Sequence, residues 1–323
     1  MVRLIQSQSS SGICLGTHVR PDGDALGSLL GLGLALEAAG NRVAMLCADP
    51  VPENYRFLPS SDRVCADAPR WTAQLGIVLD CDGISRLGPL EGLFAALPHL
   101  VDIDHHGSGR SFGEERLTDS TAGATSEIVY GLLRDLGLAI DPRIATCLYA
   151  GILSDTGRFC YGNTKADSLR IAADLVRSGA DPHFIARRIY EERSIPATHL
   201  LGRALSRLSA DLDSQIVSSV LARQDFTETG AAHSDTEGII DHLRAIGGPR
   251  VALLFVEVEN GEVRVSLRSD GSVDVSEIAL GFGGGGHAMA AGCTVRGSAE
   301  GVREKILVAV RAALPEASPP HVG

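Results

Sequence analysis

The sequence predicts an α/β chain in two parts: an N-terminal domain with a mainly parallel sheet flanked by helices, and a smaller C-terminal α+β domain. Three observations predict it. Short apolar runs alternate with longer helical patterns through the first half, that alternation stops near Asp181, and the later apolar runs are paired around a hairpin signal.

Residues 13–16, 42–47, 76–79 and 97–103 are short apolar runs of the kind that form buried strands. Residues 25–39 carry leucines at helical spacing and stop at Gly40, which marks a helix. Further helices are expected at 126–136, 142–153 and 165–178, the last ending at Gly179. Residues 182–193 are charged and helical, and Pro196 is expected to end or kink this connecting segment. Beyond it, strands are expected at 215–222, 250–258 and 263–268, the last two joined by Glu259-Asn260-Gly261-Glu262, whose Asn-Gly pair signals a tight hairpin. Helices at about 235–245, 273–281 and 299–314 complete the second part, and the proline-rich 315–323 is expected to be a disordered tail.

A chain of 323 residues can build two cores, and 44% hydrophobic with 21% charged residues is a globular composition. The formal net charge of −11 repels a long phosphate backbone, so a protein that coats duplex DNA is excluded, while a small nucleotide in a local cationic cleft is not. The seven cysteines, at 14, 47, 65, 81, 147, 160 and 293, form no C-x-x-C pair and read as reduced thiols of a cytoplasmic protein. The segment MVRLIQSQSSSG lacks the apolar core of a signal peptide, and no stretch approaches the ~20 apolar residues that span a bilayer. Aromatics are only 4%, without the interleaved aromatic and basic residues of an RNA-binding platform; Phe159 and Tyr161 are as well explained by packing as by stacking on a base.

Four segments of the first half carry the chemistry. His18-Val19-Arg20-Pro21-Asp22-Gly23-Asp24 follows a strand and opens a helix, where an α/β sheet exposes its functional loops. Asp80-Cys81-Asp82 and Asp102-Ile103-Asp104-His105-His106 each end a strand, and Asp155 emerges from an apolar helix. Each aspartate alone is explained by capping or turn formation. Strand ends of one parallel sheet converge on one edge, however, and converging carboxylates repel and raise one another's pKa unless cations bind. Asp oxygens and His nitrogens without cysteine favour Mn²⁺, with Mg²⁺, Fe²⁺ or Co²⁺ as alternatives, and two such ions ~3.5–4 Å apart suit displacement at phosphorus.

With these motifs the sequence resembles the DHH phosphoesterases, named for the triplet Asp104-His105-His106; Gly283-Gly284-Gly285-Gly286-His287-Ala288-Met289-Ala290-Ala291-Gly292 resembles the signature of the DHH-associated domain. Within the family it is most similar to oligoribonucleases that also dephosphorylate 3′-phosphoadenosine 5′-phosphate (pAp). The resemblance implies a catalytic metal-binding domain at 1–185, a linker at 186–198 and a substrate-binding domain at 199–314. It implies that His18 and Asp22 hold one metal, Asp24, His105 and Asp155 a second, and Asp80 both. His106 would sit beside the scissile phosphate, with Asp104 orienting a histidine. Asp82 fits no ligand position, and capping or pairing with Arg86 explains it.

The implied reaction is hydrolysis of short single-stranded oligonucleotides, dinucleotides and pAp, the last to AMP, by hydroxide activated by two metals; a homodimer is compatible with the family. Arg268 offers a fork suited to phosphate oxygens, and Ser269, the flexible backbone of Gly284, Gly285 and Gly286, and His287 would complete a substrate clamp. The alternatives are a cyclic or linear dinucleotide phosphodiesterase, a manganese-type inorganic pyrophosphatase and a catalytically silent nucleotide-binding module. The glycine-rich motif, the absence of clustered lysines in the second half and the filled ligand positions weigh against the last two.

Overall fold

The computed structural model describes residues 2–7, 12–107, 112–213 and 215–314, apart from the side chains of 3, 6 and 7, so the expected disorder of 315–323 lies outside the described residues. The chain divides into two compact units, Met1–Glu192 and Arg193–Gly323. Among the described residues no helix is long and apolar enough to cross a membrane.

The first unit runs α1 (Val2–Ser7), β1 (Ile13–Thr17), α2 (Gly23–Ala38), β2 (Val43–Leu46), β3 (Leu75–Leu79), α3 (Glu91–Ala95), β4 (His99–Asp104), β5 (Glu115–Thr118), α4 (Thr125–Asp135), α5 (Pro142–Asp155), α6 (Ala166–Arg177) and α7 (Pro182–Ala186). Its five strands are parallel, in the order β2-β1-β3-β4-β5. Both faces are covered, which is why β1 and β3 are buried throughout rather than at alternate positions. On one face Ile13, Leu15, Ile77, Leu79, Val101 and Ile103 pack with α2, α4 and α5. On the other, Cys14 and Val78 meet Leu87, Leu90 and Phe94.

Helix α2 is buried from Gly23 through Leu36, so its apolar residues surround it instead of forming a stripe. The glycines that interrupt its leucines have a packing role. A Cβ on Gly27 would lie 2.6 Å from the Cys147 carbonyl and 2.9 Å from the Gly151 Cα, so α2 and α5 touch backbone to backbone. The two helices run antiparallel, with Gly23 beside Ser154 and Gly31 beside Leu148. The start of α2, with Asp22 and Asp24, therefore meets the end of α5, with Asp155.

The second unit runs α8 (Ile195–Ser206), β6 (Ser209–Asp211), β7 (Ile216–Leu221), α9 (Arg223–Thr229), α10 (Ile239–Arg244), β8 (Val251–Glu257), β9 (Glu262–Ser269), α11 (Val275–Gly281), β10 (Gly285–His287), β11 (Ala290–Arg296) and α12 (Ala299–Ala313). Its sheet is mixed, in the order β10-β11-β9-β8-β7-β6, with β7 and β8 parallel and the other neighbours antiparallel. The hairpin between β8 and β9 is the one that Asn-Gly signals: Asn260 and Gly261 have φ of 61° and 71°.

Two local expectations are corrected. Pro196 starts a helix: it lies in the first turn of α8, where a missing N–H costs nothing, behind a Ser194 cap that accepts the Ala197 N–H. The continuous helix expected at 235–245 is a 3₁₀ turn, His233–Thr236, followed by α10, because Gly238 at φ 73° breaks the path between them. Helix α8 and strands β5, β6 and β10 were not among the expected elements, and β11, the edge-side partner of β9, is hidden in the glycine and alanine run.

Gly27→Ala is expected to destabilise the protein by about 1–3 kcal/mol, the usual cost of overpacking a close-packed contact, through separation of α2 from α5. Urea unfolding checks this; an unchanged midpoint would show that the two backbones do not need to touch.

Candidate metal centre

Strands β1, β3 and β4 are parallel, so their C-terminal ends open at one edge of the sheet and bring His18, Asp80 and the 104–106 triplet together. Asp80 stands at the centre. Its backbone turns sharply out of β3 with φ of 58°, a region few non-glycine residues occupy, while its N–H still donates to the Ile103 carbonyl. Three imidazoles face its buried carboxylate: His18 Nε2 lies 3.6 Å from Oδ2, and His105 Nε2 and His106 Nδ1 lie 3.6 and 3.8 Å from Oδ1.

Backbone carbonyls orient two of these rings. His18 Nδ1 lies 2.9 Å from Val19 O and His105 Nδ1 lies 3.3 Å from Ala122 O. A carbonyl only accepts, so the proton belongs on Nδ1 and the ligating lone pair on Nε2, the atom turned toward Asp80. His106 is held differently: its Nδ1 is 2.6 Å from Asp104 Oδ1. Asp104 therefore orients His106, and its other oxygen, Oδ2, is buried without a hydrogen-bond partner.

The remaining aspartates come from helix ends. Asp22 is the N-cap of α2, its Oδ1 accepting from the Asp24 and Ala25 N–H groups, so capping and a place in the cluster coexist in one side chain. Asp24 is fully buried and accepts from the Thr125 N–H at 2.6 Å and from the Ser126 N–H at 3.0 Å. Asp155 ends α5; its Oδ2 lies 3.4 Å from His105 Nε2 and is buried with no hydrogen-bond partner. Among the described residues of the first unit, three sets offer ligand atoms within 4.8 Å of one another: His18, Asp22 and Asp80; Asp24, Asp80 and His105; and Asp80, Asp104 and His106. Asp80 belongs to each of these. Asp82 stands apart and pairs with Arg86 at 3.5 Å, as expected from the sequence.

The charges are unbalanced in a way that cations would correct. Burial, then the charges of Asp80 and neighbouring acids, push Asp24 and Asp155 well above the usual carboxylate range. Asp80 goes the other way: burial opposes its ionisation, but His18, His106 and His105 outweigh burial and hold it well below that range. The mutual repulsion anticipated from the sequence thus falls on Asp24 and Asp155 rather than on Asp80. Carboxylate oxygens without partners, outward-turned Nε2 atoms and the absence of thiols among them fit divalent cations bound by oxygen and nitrogen.

Several residues of the site carry no signal in the sequence. Thr125, Ser126, Ala122 and Asn163 all bond to cluster residues, yet the first two read as an ordinary helix start and the others as loop. Behind the triplet, buried Asp102 lies 3.3 Å from Arg116; burial and then Asp104 raise its pKa to about 7 against the opposing pull of Arg116 and His106. Phe159 packs edge-to-face on Tyr149, with ring centres 6.1 Å apart.

In the second unit Arg268 and His287 share one cross-strand row, each opposite Ala290. Two strand spacings put their backbones roughly 10 Å apart, with both side chains on one face. Arg268 Nη1 donates to Leu267 O at 3.1 Å, and its Nε lies 3.6 Å from Asp241 Oδ1. The other clamp candidates make bonds of their own. The Ser269 side chain is buried and its Oγ accepts from the Gly271 and Val273 N–H groups, which commits it to the turn after β9. The Gly284 N–H donates to Ala279 O at the end of α11, so it is not a donor for an anion. Gly285 and Gly286 lie in edge strand β10 rather than in a flexible loop, and Gly286 at φ 139° needs to be glycine for backbone reasons.

Comparison with known proteins gives two family matches: the DHH family, N-terminal domain, over residues 12–152, and the DHHA1 domain over residues 213–316. A protein of Thermus thermophilus named bifunctional oligoribonuclease and PAP phosphatase NrnA is 36% identical over 309 residues, covering 94% of this chain and 91% of that one. A protein of the same name from Bacillus subtilis is 30% identical over 287 residues, covering 88% and 89%. Among solved structures, an exopolyphosphatase-related protein from Bacteroides fragilis superposes with a TM-score of 0.87 at 25% identity, over 96% of this chain and 95% of that one.

The Asp104–His106 pair predicts a pH dependence. Burial lowers the His106 pKa, but the bond to Asp104 and the charge of Asp80 outweigh it and raise it to about 10. Between about 6.5, the unfolded value, and about 10, the folded metal-free protein keeps a proton that the unfolded chain has lost, so stability falls as pH rises through that window. Urea midpoints of metal-free protein measured from about pH 7 to about pH 9.5 should decline, and less steeply in His106→Gln. An identical decline in the variant would mean that this pair does not hold the proton.

Proposed function

The chain belongs to the DHH family of phosphoesterases, and from that premise we propose that it hydrolyses short oligoribonucleotides and converts pAp to AMP. The observation that carries the reading is the buried Asp80 carboxylate, faced by three imidazoles where parallel strands end, with Asp22, Asp24 and Asp155 brought in by two helix termini. His18 and Asp22 would hold one divalent cation, Asp24, His105 and Asp155 a second, and Asp80 both; manganese suits this oxygen and nitrogen donor set. Such cations supply Lewis acidity and a nucleophile at neutral pH.

His106 has a separate task. Its Nδ1–H is held by Asp104, a bond that raises the ring's pKa and so favours a proton at Nε2 for a phosphate oxygen or a departing ribose oxygen. Residues 1–185 are proposed as the catalytic domain and 199–314 as the substrate-binding domain, in which Arg268 and His287 engage a phosphate of the nucleotide. All seven cysteines are free thiols, which suits a cytoplasmic enzyme.

The direct test is manganese-supplemented hydrolysis of pAp, labelled RNA from dinucleotides to long oligomers, cyclic dinucleotides and pyrophosphate. Turnover of pAp and the shortest RNAs is expected to exceed that of the others, and pyrophosphate as the preferred substrate would overturn the reading. Arg268→Ala should lose a charge-assisted contact of about 1.5–3 kcal/mol and so lower kcat/KM on pAp about ten- to hundredfold, with metal content unchanged. Bis-p-nitrophenyl phosphate, which lacks a nucleotide handle, should be much less affected. Equal losses on both substrates would remove Arg268 from substrate recognition.

A further inference from the structure

We propose that the turn from Ala122 to Ser126, which contains none of the metal-ligand candidates, positions three of them directly and a fourth through Asn163, with Thr125 as its principal positioning residue. The proposal rests on reading Asp24, Asp80, His105 and Asp155 as ligands. These four come from the start of α2, the end of β3, the end of β4 and the end of α5, segments with no local sequence relation. One turn touches three of them, Asp24, Asp80 and His105, and is tied to the segment of the fourth through Asn163. Ala122 O accepts from His105 Nδ1, and Thr125 Oγ1 donates to Asp80 Oδ1 at 2.9 Å. The Thr125 N–H donates to Asp24 Oδ2, while the Ser126 N–H and hydroxyl both donate to Asp24 Oδ1. Asn163 Nδ2 bridges the Gly123 and Asp155 carbonyls at 3.0 Å each, which ties the turn to the end of α5.

The hydroxyl of Thr125 has a specific consequence. Asp80 Oδ1 is the oxygen that faces His105 and His106, and Oδ2 is the one that faces His18. A donor fixed on Oδ1 prevents the carboxylate from rotating, so each oxygen keeps its own imidazole side. Asp24 is fixed by a second device: two N–H groups at the N-terminus of α4, an end that favours negative charge, hold both its oxygens. Helix α5 makes room for this contact. A Cβ on Gly151 would stand 2.8 Å from Asp24 Oδ1, so the helix passes with a bare backbone. Sequence pattern explains Thr125 and Ser126 as a helix start, but their polar atoms are fully buried and turned onto carboxylates far away in the chain.

The test compares full-length, metal-stripped wild type with Thr125→Val, Thr125→Ser and Asn163→Ala, titrating Mn²⁺ by calorimetry with circular dichroism as the check on folding. Val preserves shape and removes the hydroxyl. Thr125→Val is expected to fold and to bind Mn²⁺ roughly 10–100-fold more weakly, the usual effect of removing a group that orients a ligand. Thr125→Ser should restore most of the affinity, and Asn163→Ala should weaken it in the same direction. The Mn²⁺ concentration needed for half-maximal turnover should shift in parallel, with KM for pAp unchanged. Wild-type affinity in both Thr125→Val and Asn163→Ala, or a folded Thr125→Ser no better than Thr125→Val, overturns the proposal while leaving the ligand reading intact. A wild type that binds no Mn²⁺ overturns both.

Discussion

One buried carboxylate organises the site. Asp80 sits where β3 ends, in a left-handed conformation that costs a non-glycine residue about 1–3 kcal/mol. It is retained because the surrounding groups over-determine it: Ile103 holds its N–H, Thr125 holds one oxygen, and three imidazoles face the two oxygens. The positive field that keeps Asp80 ionised is not shared equally. Asp24 and Asp155 lie within the same buried space and are driven toward protonation. A site with one satisfied carboxylate and two frustrated ones is an incomplete electrostatic object, and binding of divalent cations is the change that would complete it.

The architecture concentrates these groups at little cost because most of them also serve the fold. Asp22 caps α2. Asp24 receives the first N–H groups of α4, a helix whose own N-cap position is Ala124 and has no side-chain oxygen to offer. Antiparallel contact of α2 and α5 through Gly27 and Gly151 then carries the end of one helix to the start of the other. A carboxylate at a helix start is favourable in any protein; here two such starts, those of α2 and α4, lie where three parallel strands end.

The second unit contributes chemistry of another kind. Its mixed sheet places Arg268 and His287 in one row across β9, β11 and β10, with Ala290 between them as a residue small enough to leave the face open. The glycine run beside them has a defined backbone path: Gly284 donates its N–H to Ala279 at the end of α11, and Gly286 takes a φ that disfavours other residues.

The sequence by itself determined the parallel sheet, the position of most helices, the Asn-Gly hairpin and the residues that cluster. Each of these is written in local pattern: apolar runs for buried strands, leucine spacing for α2, acid and histidine at strand ends. It also set Asp82 apart from the cluster, leaving capping or pairing with Arg86 open, and the structure shows the pairing. It misread Pro196, since a proline that ends one helix and a proline that starts the next look alike without the Ser194 cap in view. It could not show the bonds of Ser269 and Gly284, which are invisible until neighbouring elements pack. Only the tertiary structure decided that Asp80 is stabilised as an anion while Asp24 and Asp155 are not, and that Thr125, Ser126 and Asn163 hold the cluster. The physical reason is that hydrogen bonds and pKa shifts depend on distances between residues many tens of positions apart, and those distances exist only after the helices have packed on the sheet.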